Sequence, residues 1–252
     1  MKPQPILAGA TISEFDGVRY LHLGTQWVQG AMRKSRPRQL ELEYIQRMMA
    51  WTLWRPADAV TRGRAVQLGL GAAAITRFTS QVMRMPTVAV EINATVIAAC
   101  KLWFQLPEND ARLEVIEADA ARWIADPVQL ESTSALCVDL YDHEAAAPVL
   151  DSEAFYADCR AALKPGGLLS VNLFGRDASF ERSAAHIAAA FGSDQVWQLS
   201  PTREGNTIVI AGREVEVPDR ATLLARAESI ESRFGLPAPK WLRLVKPYRA
   251  VG

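Results

Sequence analysis

The sequence predicts an α/β fold: a seven-stranded, mostly parallel sheet flanked by helices, closed by an antiparallel strand and preceded by a small β-hairpin and a helix. Three observations predict it. From Arg64 onward, apolar strand-like runs alternate with amphipathic runs of helical period, and every parallel return needs such a crossover. Ala65-Val66-Gln67-Leu68-Gly69-Leu70-Gly71-Ala72 reads as a strand, a tight glycine turn and a helix start. Near the other end, the strand-like runs 195–199 and 206–211 are separated by only Ser200 to Gly205, too short for a helical crossover, so they must run antiparallel.

Taken in order, residues 11–23 hold two alternating runs joined by Asp16-Gly17, a strong two-residue hairpin signal, so residues 1–30 read as a small β appendage and 31–252 as the main domain. Leu40, Tyr44, Met48 and Trp51 recur at helical spacing over 40–54, with Met49 and Leu53 widening an apolar face towards a core, and Pro56 helps to end it. The alternation then predicts strand 65–69, helix 73–84, strand 87–92, helix 94–104, strand 112–117, helix 119–125 and strand 134–140. A helix over 152–163 stops at Lys164-Pro165-Gly166-Gly167, and the apolar strand 168–173 follows. A helix over 219–234 and a tail with Trp241 and Tyr248 close the chain by packing across the core or against a second subunit. Most of the seven tryptophans read as core; Trp27, beside Gln29, alone has a reason to approach a pocket.

Composition narrows the class. A chain of 252 residues that is 49% hydrophobic and 22% charged buries an ordinary core. Basic and acidic residues both number 28, so no overall field draws the chain to nucleic acid or to an anionic membrane, and Arg33-Lys34-Ser35-Arg36-Pro37-Arg38 reads as a solvated loop. Cys100, Cys137 and Cys159 lack metal-ligand spacing, which predicts reduced thiols and no metal site. No basic region followed by an apolar core opens the chain, and no apolar run approaches the ~20 residues of a membrane span; a cytoplasmic protein is expected.

The candidate site residues cluster at predicted strand ends. Gly69 and Gly71 lack a Cβ, which lets a ligand press against the amides opening the next helix. Glu91 ends the second strand about 20 residues on, the distance at which a carboxylate accepts hydrogen bonds from ribose hydroxyls. Asp119, followed by Ala120, opens a helix, where it can cap the free amides and still present an oxygen to an adenine amino group. Asp139 and Asp142 leave the fourth strand beside the crevice. Two carboxylates three residues apart can clamp a cationic amine, and one can remove the proton that masks its lone pair. Neighbouring His143 reads as solvated.

Over residues 27–211 these segments resemble the spermidine synthase-like (polyamine aminopropyltransferase) family, which has the class I S-adenosylmethionine-dependent methyltransferase fold. Trp27-Val28-Gln29 is similar to its Val-Gln element, Leu68-Gly69-Leu70-Gly71 to its glycine turn, and Val90-Glu91-Ile92-Asn93 to its Val-Glu-Ile-Asp strand. Asp119-Ala120 stands for its Asp-Gly or Asp-Ala, and Asp139-Leu140-Tyr141-Asp142 for its Asp-x-x-Asp signature; Phe155-Tyr156 and Leu163-Lys164-Pro165-Gly166-Gly167 complete the set. The resemblance implies that Gln29 touches the nucleoside, that Asp139 is the base and that Asp142 binds the amine. It implies decarboxylated S-adenosylmethionine as co-substrate, with a small amine such as putrescine as acceptor, and it fits a homodimer. The chain departs from the pattern at Tyr44-Ile45-Gln46-Arg47, where the family carries Tyr-His-Glu-Met, at Ala72-Ala73-Ala74 in place of Asp-Gly-Gly, and at the acceptor loop, here Pro201-Thr202-Arg203-Glu204-Gly205. Two other readings stand beside aminopropyl transfer: methyl transfer from S-adenosylmethionine itself, and nucleoside binding without turnover.

Overall fold

The computed structural model describes residues 7–141, 150–174 and 178–249. Strands β1 (Ala10–Phe15) and β2 (Val18–Leu23) form the expected hairpin, with Asp16 and Gly17 both at positive φ, 48° and 72°. That pair of left-handed residues matches the twist of the strands they join. Strand β3 (Gly30–Arg33) adds antiparallel to β2, and the three-stranded sheet buries Leu21 and Met32 against Leu70, Ala72 and Ala73 of the glycine turn. The approach is close: a Cβ on Gly30 would lie 2.6 Å from the Ala72 nitrogen. Gln29, just before β3, is thereby fixed over the turn. Within the basic stretch, Arg33 pairs with Glu41 and Lys34 with Glu14.

The helix expected over 40–54 is shorter and changes character. Helix α1 (Glu43–Met48) is regular, but Met49–Trp54 tightens into 3₁₀ geometry with all six residues buried. An α-helix presents one stripe to a core, whereas this segment is enclosed on every side, and packing decides its pitch. Arg55, held extended ahead of Pro56, ends it.

The main sheet comprises β4 (Arg64–Leu68), β5 (Thr87–Glu91), β6 (Leu113–Glu117), β7 (Thr133–Val138), β8 (Leu163–Phe174), β9 (Val196–Leu199), β10 (Asn206–Gly212) and β11 (Val245–Pro247). Their spatial order is β11-β9-β10-β8-β7-β4-β5-β6. The block from β8 to β6 is parallel, and β10 inserts antiparallel between β8 and β9. The tail supplies the eighth strand, β11, at the edge beside β9, and buries Trp241 and Tyr248. While β7 advances from Thr133 to Ala135, β8 advances from Leu163 to Leu168, so Lys164-Pro165-Gly166-Gly167 bulges out of the ladder.

Helices cover both faces: α2 (Ala74–Arg77), which widens into a π-turn over Phe78–Val82, α3 (Ala94–Trp103), α4 (Ala120–Ile124), α5 (Glu153–Ala162), α6 (Ala178–Phe191), α7 (Arg220–Phe234) and α8 (Ala238–Trp241). Along β10 the pleat divides the two cores. Ile208 and Ile210 join Met48, Trp51, Phe78 and Trp241, whereas Val209 and Ala211 join Leu169, Tyr156, Cys159 and Ile187. From β4 the chain winds outward through β5 and β6, and from β7 in the other direction. The carboxyl ends of β4 and β7 therefore border a crevice at the point where the winding reverses. Among the described residues no helix is long and apolar enough to cross a membrane, and the three cysteines are buried and free.

Candidate active site

A cavity of about 500 Å³ opens at that crevice, and it brings together Gln29, Gly69, Gly71, Glu91, Asp119, Ala120 and Asp139. Asp142 and His143 lie outside the described residues.

The half around the glycine turn is built by backbone. Gly69 (φ 86°) and Gly71 (φ 51°) take conformations that side chains disfavour, and a Cβ on Gly69 would meet the Asp139 carbonyl oxygen at 2.2 Å. The same turn is pinned to both neighbouring strands: the Gly69 amide donates to Val90 at 2.9 Å, and the Asp139 amide donates to Leu68 at 3.0 Å. Glu91 is held between two segments. Its Oε2 accepts from the Leu70 amide and its Oε1 from the Asn93 amide, each at 2.9 Å. Burial raises its pKa, opposed by these backbone donors. Each oxygen keeps a lone pair for a hydroxyl of a ligand. Asp119 caps α4 through the Arg122 amide at 3.1 Å and also lines the cavity. The Gln29 side-chain nitrogen is buried and has no hydrogen-bond partner among the described residues. A buried amide donor without a partner is costly, and one in a cavity wall is poised for a ligand acceptor.

The other half is built by side chains. Asp139 accepts from the Asn172 side-chain nitrogen at 2.9 Å, and the Tyr44 hydroxyl lies beside it. Burial pushes its pKa up to about 6, and Asn172 and Tyr44 pull against that rise. The Tyr44 hydroxyl is pushed well above its ordinary range by burial and by the adjoining carboxylate. Tyr141 donates to the Asn172 backbone oxygen at 3.0 Å and accepts from the Phe174 amide. Trp27, 56% exposed, meets Phe174 edge to face at 6.3 Å, and together they form an aromatic wall. Glu43 and Glu204 add carboxylates to the same cavity.

Where the family motif departs, the substituted residues have structural work. Gln46 donates to the Leu40 backbone oxygen at 2.8 Å. Buried Arg47 ties α1 to the loop after β9, donating to Glu43 at 2.5 Å and to the Ser200 oxygen at 2.6 Å.

Several residues here were not singled out by sequence reasoning. Tyr44 was counted in the apolar face of its helix, and its hydroxyl instead reaches Asp139. Asn172 lies in the apolar run 168–173, where a polar residue between Val171 and Leu173 is the available signal, and Asn206 opens the strand-like run 206–211. Among the described residues, no group of three or more His, Cys, Asp or Glu side chains is placed to hold a metal ion.

No family model matches the chain. The polyamine aminopropyltransferase of Chromobacterium violaceum is 32% identical over 237 residues, covering 93% of this chain and 88% of the relative. The enzyme of the same name from Neisseria meningitidis serogroup B shows the same identity and coverage. Among solved structures, a probable spermidine synthase from Corynebacterium glutamicum superposes with a TM-score of 0.70 at 19% identity, covering 93% of this chain and 90% of that one. Human methyltransferase-like protein 13, solved with SAH, superposes with a TM-score of 0.65 at 20% identity over 77% of this chain and 93% of its own. These two show the fold, that of the class I methyltransferases. The identity to the two bacterial enzymes, sustained over nearly the whole length, shows that the chain belongs to the polyamine aminopropyltransferase (spermidine synthase) family.

Proposed function

We propose that this protein transfers an aminopropyl group from decarboxylated S-adenosylmethionine to a small amine such as putrescine. One observation carries the reading: a single cavity presents glycine-turn amides and acids at one end and, at the other, a half-buried carboxylate whose pKa is raised to about 6.

In this reading Gly69 and Gly71 let the adenosyl group lie against the turn, Glu91 accepts from the ribose hydroxyls, and Asp119 and Ala120 border the adenine. Gln29 donates its free amide hydrogen to the nucleoside. Asp139 faces the carbon bonded to sulfur. An alkylammonium is not a nucleophile until it loses a proton, and Asp139, ionised above about pH 6, accepts that proton as the amine enters the apolar site. The nitrogen lone pair then forms the new C–N bond as the C–S bond breaks, and the bonding pair leaves with sulfur as a neutral thioether. Tyr44 and Asn172 hold the carboxylate on its line of approach, so little reorientation is needed at the moment of reaction. By the family pattern Asp142 binds the amine. The enzyme frame also supports Trp27 and Phe174 as faces for the cationic acceptor.

Calorimetry with decarboxylated S-adenosylmethionine, S-adenosylmethionine and methylthioadenosine tests the donor, and mass spectrometry after incubation with a panel of di- and polyamines tests the transfer. Preference for the decarboxylated donor and an amine gaining one aminopropyl unit are expected. Preference for the carboxylated donor, with a methylated product, would overturn the proposal.

A further inference from the structure

Asn206 opens β10 directly opposite Phe174 of β8, and its side chain crosses to the neighbouring strand. Its Nδ2 donates to Asn172 Oδ1 at 3.1 Å, and Asn172 Nδ2 in turn donates to Asp139 Oδ1 at 2.9 Å. Asn206 is itself anchored. Its backbone amide donates to Thr202 Oγ1 at 3.1 Å, that hydroxyl lies 3.5 Å from Asn206 Oδ1, and the Thr202 amide donates to the Asn206 oxygen at 2.8 Å. All three residues, Thr202, Asn206 and Asn172, are buried.

We propose that Asn206 is a positioning residue for Asp139: it fixes the amide of Asn172 so that its NH2 group, and not its carbonyl oxygen, faces the carboxylate. An amide side chain has nearly the same shape either way round, so the cavity wall cannot choose its orientation by fit. Hydrogen bonding chooses. Were the Asn172 amide reversed, its NH2 would confront the NH2 of Asn206 and its oxygen would confront Asp139, replacing two attractive contacts by two repulsive ones. With Asn206 in place, one oxygen of Asp139 is engaged by a neutral donor. The proposal rests on the aminopropyltransferase reading for the meaning of Asp139, but not for the geometry.

Among the described residues, the groups facing Asp139 are Tyr44 from α1, Asn172 from β8, Cys137 from β7 and Tyr141 just beyond β7. Of these, Asn172 has its orientation set from another strand. Loss of its donor removes a contact that favours the ionised carboxyl, so the titration of Asp139 moves upward.

The test reads the carboxyl directly, by carbon-13 NMR of the full-length protein labelled at aspartate side chains, with the Asp139 resonance assigned by its loss in Asp139→Asn. In Asn206→Leu its midpoint is expected to rise by about one pH unit, and Asn206→Leu is expected to add nothing in an Asn172→Leu background. A folded Asn206→Leu protein with an unmoved midpoint overturns the proposal, as does an equal further shift when Asn172 is already replaced. Asn206→Val, a strand-forming residue of similar bulk, gives the same two readings should Asn206→Leu not fold. Nucleoside calorimetry on the same samples separates the two claims. Failure to bind any donor tells against the proposed reaction, while the NMR result still decides the role of Asn206.

Discussion

Replacing Asp139 by asparagine is expected to remove activity while relieving a pH-dependent burden on stability. In the folded protein burial raises the Asp139 pKa from 3.8 to about 6. A raised carboxyl pKa means that the folded state holds its proton more tightly than the unfolded state. The stabilisation is therefore complete below about pH 3.8 and is lost as pH rises through about 6. At 1.36 kcal/mol per unit, the whole rise is worth on the order of 3 kcal/mol, of which about 2 kcal/mol falls between about pH 4.5 and about pH 8. Asparagine keeps an oxygen for Asn172 and carries no ionisable proton, so the variant lacks this dependence. Urea unfolding of both proteins at the two pH values measures it. Relative to the wild type, the variant is expected to gain about 2 kcal/mol on going to the higher pH, or roughly 1 M in midpoint at a slope of about 2 kcal/mol/M. Turnover is expected to fall by about 10²- to 10⁴-fold, the usual contribution of a positioned base. A stability difference that does not change with pH, or a variant that keeps full activity, would refute the account of Asp139 as a buried base.

The glycine turn and Gln29 give two further tests. Gly69→Ala combines a positive φ of 86° with a Cβ only 2.2 Å from the Asp139 carbonyl oxygen, a backbone atom that cannot swing aside. A loss of at least about 3 kcal/mol of stability is expected, together with loss of nucleoside binding, and thermal unfolding with and without methylthioadenosine measures both. Gln29→Leu removes a buried donor that has no partner among the described residues. Its stability is expected to stay level or rise slightly while nucleoside affinity falls about tenfold; unchanged affinity by calorimetry would show that this amide does not meet the ligand.

Much of the glycine-turn half of the site was legible because its pattern is local in sequence. The order of strand, glycine turn, helix and strand-ending acid fixes where Gly69, Gly71 and Glu91 must fall, and Asp119 announces itself as a cap at a strand-to-helix junction. Aspartate at the end of the fourth strand places Asp139 in the crevice for the same reason. The environment of that aspartate was not legible. Tyr44 sits at a helical position that predicts a buried face, but periodicity says only that a side chain points inward, not that its hydroxyl finds a carboxylate. Asn172 and Asn206 are 34 residues apart and meet because β10 inserts between β8 and β9, an ordering set by the packing of the whole sheet. Packing likewise drew Met49–Trp54 into 3₁₀ geometry against the helical period of its sequence.

The sequence by itself determined the alternating architecture, the glycine turn with its strand-ending acid and the position of Asp139, since each follows from spacings along one stretch of chain. Only the tertiary structure decided what surrounds that aspartate. Hydrogen-bond partners on different strands depend on strand order and register, which no local pattern encodes, and so does the enclosure of Asp139 itself, which raises its pKa against those partners.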